Sequence, residues 1–255
     1  MTQKFNKRKI NIFPSRKIIK FLIFIIFFFS IIIFIYNDLR HKNGFYNFVE
    51  NLSKKFNYQF VNLEINSLNR VDKLEVLKNI NKYLNKSIFL IPLNDISDSL
   101  HNLNWVKTVN LSTNLKNKIK VEIFEHIPIG LFLYNKQLFY FSKEGKIIDI
   151  HLGNIKENFI IFNGKKVLQE ANNLLINLDN VENTDILNIK EAHYVNNRRW
   201  NIKLYNEILI NLSEKNIEES INTSIKLIEK LNKSEIDSIK NIDLRNNEKA
   251  IISFK

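Results

Sequence analysis

The side chains that most often carry chemistry are sparse in this chain and do not fall into catalytic or metal-binding patterns. The chain has 255 residues with no cysteine and five glycines, which excludes a thiol nucleophile and a cysteine-ligated metal. Its histidines are His41, His101, His126, His151 and His193. None of them shares the H-x₃-H or H-E-x-x-H spacing typical of zinc ligands, so we expect no metal site.

Glycine-rich loops and paired carboxylates are also missing from the sequence. It has no G-x-x-x-x-G-K-[ST], G-x-G-x-x-G or G-x-S-x-G motif, so neither a phosphate-binding loop nor a nucleophile elbow is expected. Glu125 is a general-acid candidate only because it is a glutamate, since the spacing of the acidic residues does not place a second carboxylate near it. We expect Glu125 to take part in a structural turn before Pro128, which restricts Ile127 to extended conformations. The sequence therefore shows none of these catalytic motifs, and we expect no cofactor.

The N-terminal forty residues indicate where in the cell this protein is located. Residues 1–20 contain seven Lys and Arg and no acid, and in the next sixteen residues, Phe21 to Tyr36, Ser30 is the one polar member. Sixteen helical residues span about 24 Å, and Ile18 and Ile19 extend this to about 28 Å, close to the thickness of the hydrocarbon core. We predict a transmembrane helix over 21–36, with residues 1–20 as a cytoplasmic tail and the C-terminus outside.

A cleaved signal peptide is the main alternative to this anchor. Signal peptides have a shorter apolar region, followed by a cleavage site of small residues. Here residues 37–41 are Asn-Asp-Leu-Arg-His, with no Ala-x-Ala, which favours an uncleaved anchor. Seven of the twelve net positive charges lie in the tail, which leaves +5 on the exported part. The charge therefore indicates topology and lipid contact rather than nucleic-acid binding.

Beyond a juxtamembrane segment at 37–57, which we expect to be helical, residues 58–126 follow the order β-α-α-β-β. Alternation over Gln59–Asn66 predicts a strand with Phe60 and Val61 on opposite sides. Asp72 and Glu75 indicate a capping box for one helix, and Asn94 or Asp95 can cap a second. The two remaining strands are predicted at Trp105–Ser112 and Lys118–Phe124, with Trp105 in the core.

Residues 127–255 alternate short apolar segments with turn residues and predict a mostly antiparallel β domain with two helices. The helices are expected at 165–177 and 216–231, and a core position is expected for Trp200. Strands are expected at 129–134, 138–141, 146–150, 159–162, 186–195, 199–204 and 208–212. A terminal hairpin is expected from Ile236–Leu244 and Glu248–Phe254 across Asn246-Asn247. The overall fold class is therefore predicted as α+β behind a transmembrane helix.

Several segments resemble one bacterial family in both order and spacing. They are residues 87–91 (Ser-Ile-Phe-Leu-Ile), 103–107 (Leu-Asn-Trp-Val-Lys), 119–130 with Glu125 three residues before Pro128, 142–149, 199–202 (Arg-Trp-Asn-Ile) and 242–245 (Ile-Asp-Leu-Arg). On these residues the chain resembles the cell-division family FtsQ/DivIB. The resemblance implies a POTRA domain at 58–126 and a larger β domain at 127–255. It also implies a non-enzymatic inner-membrane scaffold at the division site, which links early and late division proteins and binds FtsB and FtsL in the periplasm.

The resemblance further implies where the partner binds, since in this family a segment of FtsB adds as a strand to the end of the β domain. The implied residues are Asp243, Leu244, Arg245, Glu248, Lys249, Ala250, Ile251, Ile252, Ser253 and Phe254. The residues themselves leave two alternatives open. The last strand is an unpaired edge that a partner uses, or Glu248, Lys249 and Lys255 simply keep an ordinary edge soluble. Arg245 either anchors the hairpin through a salt bridge or contacts a partner.

Two other function classes fit parts of the sequence. A POTRA-bearing assembly or transport factor would have several POTRA units or an outer-membrane barrel, and this chain has room for neither. An anchored envelope enzyme, such as a peptidoglycan hydrolase, would need a pair of acidic residues that the spacing does not supply.

Overall fold

The computed structural model describes residues 16–40, 44–153, 159–246 and 249–255. These residues form two compact units that are not continuous along the chain. Among the described residues, the first unit contains those up to 65 together with 80–96 and 111–121, and the second contains 66–79, 97–110 and those from 122 onward. This division passes through the segment 58–126, so the domain boundaries expected from the sequence stay a prediction.

The first helix, α1 (Arg16–Arg40), contains the apolar run. Residues 16–36 are the one segment of the described chain that is long and apolar enough to cross a membrane. The predicted span from Phe21 to Tyr36 lies inside it, and its two ends are 64% and 60% exposed. Residues 1–15 of the predicted tail lie outside the described residues, as does His41. A second helix, α2 (Gly44–Lys55), occupies the juxtamembrane segment and confirms its predicted helicity.

The β-α-α-β-β order expected of a POTRA domain is observed. Its elements are β1 (Asn62–Ile65), α3 (Lys73–Asn81), α4 (Leu93–His101), β2 (Val106–Thr113) and β3 (Lys118–Glu125). The three strands form a sheet of order β1-β3-β2. Strand β1 runs parallel to β3, with Leu63 opposite Ile119.

Two local expectations in this region were wrong. The first strand begins at Asn62 rather than Gln59, because Phe60 exchanges backbone hydrogen bonds with the segment 85–86 before the strand starts. Phe60 is fully buried and Val61 is 53% exposed, so the apolar alternation assumed over 59–66 breaks at its beginning. The helix α4 begins directly after Pro92, which places Asn94 and Asp95 inside its first turn instead of at its cap.

The remaining elements build a nine-stranded mixed sheet with helices. The strands are β4 (Pro128–Tyr134), β5 (Gln137–Ser142), β6 (Ile147–Ile150), β7 (Ile161–Asn163), β8 (Ile189–Val195), β9 (Arg199–Leu204), β10 (Leu209–Asn211), β11 (Ile239–Asp243) and β12 (Ile251–Phe254). Their order is β12-β11-β10-β9-β8-β7-β4-β5-β6. The pairs β10–β11, β4–β7 and β7–β8 are parallel and the other five are antiparallel.

Helices α5 (Val167–Asp179), α6 (Ile217–Lys230) and α7 (Lys233–Ser238) accompany this sheet, with a 3₁₀ turn at Thr184–Leu187. The short α7 is a third helix where two were expected, and it occupies residues assigned to the start of the terminal strand. Asn232 accepts a hydrogen bond from the Glu235 N–H, and Glu235 accepts one from the Asn232 N–H. This reciprocal cap explains why the helix forms and why β11 begins only at Ile239.

Both tryptophans are core residues, as expected. Trp200 is 1% exposed, and its ring lies 4.8 Å from that of Tyr194 and 5.9 Å from that of Phe162. Trp105 is 8% exposed and donates its indole N–H to Asp149 at 2.9 Å. The buried indole N–H thus has the partner that its burial requires.

Glu125 has a structural role, as expected, but not in the turn before Pro128 where the sequence placed it. Its carboxylate accepts backbone N–H groups from Asn69, Arg70 and Val71 at 3.0, 3.0 and 2.8 Å. The turn that it holds is therefore Asn69–Val71, distant in sequence from Pro128.

Candidate partner-binding edge

The terminal hairpin lies at one end of the nine-stranded sheet. Strand β12 pairs with β11 in antiparallel register, with Ile252 opposite Ile242 and Ile251 opposite Asp243. No strand of the described chain pairs with the other side of β12. An edge strand presents unpaired N–H and C=O groups on its open side, which can pair with another chain.

Side chains on β12 are divided between the core and solvent. Ile252 is half-buried and packs against the core of the sheet, whereas Ile251 and Phe254 are 59% and 62% exposed. Lys255 holds the end of the strand, because its backbone N–H donates to the Ser238 carbonyl and its Nζ to the Asp237 carbonyl, each at 2.8 Å. The edge strand is thus held in position, while the large apolar side chains of Ile251 and Phe254 remain exposed to solvent.

Asp243 and Arg245 form an ion pair just after β11. Arg245 Nε donates to both carboxylate oxygens of Asp243, at 2.8 and 2.9 Å. The hydrogen bond from Arg245 holds the pKa of Asp243 below its usual 3.8, although partial burial acts in the opposite direction. Arg245 therefore anchors the hairpin through a salt bridge, one of the two roles left open by the sequence.

A groove of about 410 Å³ opens beside this ion pair. It is lined by Arg198, Arg199, Glu214, Asp243, Arg245, Asn246, Lys249 and Ile251. Four cationic side chains therefore face two carboxylates. Asp243 is engaged by Arg245, and Glu214 lies 3.7 Å from Arg198 Nε. The surplus of positive charge is suited to an acidic group from outside the chain.

Arg199 is the most distinctive member of the groove. Its Nε is buried and has no hydrogen-bond acceptor among the residues that the structure describes. A buried unpaired donor costs free energy, and a charged one more than a neutral one. Because Arg198, Arg199, Arg245 and Lys249 all line the groove, its positive charge favours a carboxylate.

The predicted site residues separate into three sets. Asp243, Arg245, Lys249 and Ile251 line the groove. Leu244 is 4% exposed and structural, but it lines a smaller neighbouring cleft with Ala250 and Lys249. Ile252, Ser253 and Phe254 continue along β12, and Glu248 lies outside the described residues.

Besides Asn246 in the hairpin loop, three groove residues were not anticipated from the sequence: Arg198, Arg199 and Glu214. Arg198 is the last residue of the turn between β8 and β9, Arg199 is the first residue of β9, and Glu214 follows β10. They reach the terminal hairpin because β9 and β10 lie next to β11 in the sheet. The adjacent pair Arg198-Arg199 beside a turn was the one signal in the sequence for a basic site. It does not indicate which strand of the sheet lies next to these two residues.

Comparison with known proteins places the two folded parts of the chain in one family. Residues 60–126 match the family model "POTRA domain, FtsQ-type". Residues 133–245 match "Cell division protein FtsQ/DivIB, C-terminal". The second match ends at Arg245, so strand β12 lies beyond it.

Individual relatives agree over most of the chain. A protein of Rickettsia prowazekii named "Cell division protein FtsQ" is 31% identical over 211 residues, covering 79% of this chain and 74% of the relative. A protein of Rickettsia felis with the same name is 27% identical over 254 residues, covering 96% and 91%. The expectation drawn from scattered motifs is thereby confirmed, and the chain belongs to the FtsQ/DivIB family of cell-division proteins.

Proposed function

We propose that this protein is a single-pass scaffold of the bacterial division machinery that binds membrane partners of the FtsB and FtsL type and catalyses no reaction. Its basic tail lies in the cytoplasm, and the residues after the span lie on the periplasmic side of the inner membrane, at the division site. The orientation is supported by seven Lys and Arg before the span and no acid among them.

The observation that carries the proposal is the open edge of β12. Strand addition uses main-chain hydrogen bonds for affinity and pockets for side chains for selectivity. Strand β12 offers both, since its outer side has no strand in the described chain and Ile251 and Phe254 are exposed along it. We therefore infer that a partner segment continues the nine-stranded sheet beyond β12.

The basic groove supports a second contact next to this edge. Arg199 Nε lacks an acceptor among the described residues, and Lys249 lines the same groove. A partner segment on β12 that placed an acidic side chain here would gain charge-assisted hydrogen bonds, which are about twice as strong as neutral ones. The partner segment is accordingly expected to combine an extended apolar stretch with a nearby acidic residue.

Proline substitution in β12 tests the strand-addition step. The tagged full-length protein is purified from membranes with its partners, either as wild type or as Ile251→Pro. Proline removes a main-chain donor and cannot be fully paired in a strand, so we expect the FtsB-type partner to be lost from the Ile251→Pro preparation.

The matched control is Ile147→Pro, which places proline in β6 at the opposite edge of the same sheet. This variant should retain the partner. Equal retention by both variants would contradict strand addition at β12, and equal loss would show that any damaged edge is sufficient.

Charge reversal tests the groove. Lys249→Glu should weaken partner recovery, while Lys240→Glu, which alters an exposed lysine on β11 outside the groove, should not. In cells, depletion should produce filaments, and a fluorescent fusion of the wild-type protein should mark the division site. Normal division with uniform envelope fluorescence would refute the proposed role.

A further inference from the structure

Helix α2 presents a stripe of large apolar side chains to the outside. Phe45, Phe48, Leu52 and Phe56 are 45%, 54%, 45% and 56% exposed. Their spacing of three, four and four residues puts them on one side of a helix. Phe56 is the first residue after the end of α2 and continues this side. In a surface helix of a globular protein, this is the side that would face the core.

The buried side of α2 is polar instead. Ser53 is 3% exposed, and its hydroxyl is hydrogen-bonded to the hydroxyl of Ser87 at 2.7 Å. The backbone N–H of Ser87 donates to Glu50 Oε2 at 2.9 Å, and that of Tyr58 donates to the Ser53 carbonyl at 2.8 Å. These bonds fix the rotation of α2 against its own unit, so the apolar stripe cannot turn inward without breaking them.

The position of the stripe is set by the membrane span. The ring of Phe48 packs edge-on against the ring of Phe34, with 6.1 Å between centroids. Phe34 lies two residues before Tyr36, inside the span. Gly44, where α2 begins, is four residues beyond Arg40, a separation that the chain can extend to no more than about 14 Å. Phe48 therefore lies beside the Tyr36 end of the candidate span.

We propose that the stripe formed by Phe45, Phe48, Leu52 and Phe56 inserts into the lipid leaflet at the Tyr36 end of the span, so that α2 lies on the membrane surface. Phe and Leu are typical of the apolar side of helices that lie in the membrane interface. An amphipathic helix there buries its apolar side by about 5–10 Å. Lipid is the occupant because the contact with Phe34 continues a surface that already faces acyl chains.

Lys55 fits the same arrangement. Its ammonium lies 6.0 Å from the centre of the Phe56 ring, next to the stripe, where a lysine can extend its charge toward anionic headgroups. Contact with the membrane through α2 would hold the unit that contains Ser87 close to the bilayer rather than leave it on a free tether.

Lipid-borne quenching tests this proposal on the full chain. Because the sequence has no cysteine, single-cysteine variants take a bimane label at one site. Phe45→Cys and Leu52→Cys probe the stripe, and Asn47→Cys probes an exposed position on another side of the same helix. Leu115→Cys is the control outside α2, exposed in the loop between β2 and β3 of the same unit. Each labelled protein is reconstituted into vesicles of phosphatidylcholine with a minor share of phosphatidylglycerol, with or without brominated acyl chains.

We expect brominated lipid to remove most of the emission at positions 45 and 52, less at 47 and none at 115. Intrinsic tryptophan emission confirms folding, since Trp105 and Trp200 are both buried. Equal quenching at 52 and 115 would overturn the proposal. A second outcome would also overturn the proposal: weak quenching at position 52 that becomes strong when the protein is diluted in lipid. In that case a second copy of the chain, and not lipid, would cover the stripe.

Discussion

Glu125 allows a local energetic prediction, because one carboxylate accepts three backbone N–H groups. Those of Asn69 and Arg70 are exposed, so water can replace the carboxylate there at little cost. The hydrogen bond from Val71, at 2.8 Å, is partly buried. A hydrogen bond to a charged group contributes about 1.5–3 kcal/mol. We therefore expect Glu125→Ala to destabilise the turn Asn69–Val71 by about 2 kcal/mol.

Hydrogen exchange measured by mass spectrometry gives the local stability of this turn in the full-length protein. Since about 1.4 kcal/mol corresponds to a factor of ten, the Val71 amide should exchange about 30 times faster in Glu125→Ala. Glu125→Gln keeps an acceptor without the charge and should give an intermediate value.

The control is Glu64→Ala, which removes an exposed ion pair with Lys118 on the neighbouring strands. It should leave exchange at Val71 unchanged, because exposed ion pairs contribute little. A change smaller than about 0.5 kcal/mol in Glu125→Ala, the range of ordinary surface substitutions, would refute the structural role of the carboxylate.

Three further predictions concern the β domain. Trp200→Ala should destabilise it by about 3–5 kcal/mol, the usual cost of removing a fully buried aromatic side chain, measured as a shift of its thermal unfolding. The pKa of Asp243 is depressed by Arg245, so its stabilising contribution is present above pH 3.8 and is lost as the pH falls through the lower folded-state pKa. In Arg245→Gln, an NMR titration should find that pKa raised toward 3.8, and an unchanged value would contradict the ion pair. Gly164 and Gly153 both have positive φ, but only at Gly164 would a new Cβ meet backbone, that of Tyr194. Gly164→Ala should therefore lower the melting temperature more than Gly153→Ala does.

Features with local causes could be predicted from the sequence. The apolar helix α1 needs no partner to specify it, since a run of about twenty apolar residues satisfies its own backbone hydrogen bonds and favours lipid on every side. The order of helices and strands was also predictable, because side-chain periodicity differs between helix and strand. The helix α7 was missed although the pair Asn232 and Glu235 marks its cap, because it has only six residues and strand β11 follows it directly.

Features with distant causes could not be predicted in the same way. Phe60 is buried through backbone pairing with residues 85–86, about 25 residues later, which no local alternation reveals. The partners of Glu125 lie more than fifty residues before it. In each case the deciding contact joins segments whose separation in sequence carries no periodic signal.

The candidate site shows the same limit. Sequence alone determined that the protein has an apolar N-terminal helix, a β-α-α-β-β region, a β domain and a terminal hairpin, because each follows from short-range pattern and turn chemistry. Only the tertiary structure decided that β11 lies beside β10 and brings Arg198 and Arg199 to Arg245, and that the apolar stripe of α2 faces outward. Strand order and helix rotation depend on which surfaces exclude water together, and that is a property of the packed chain as a whole.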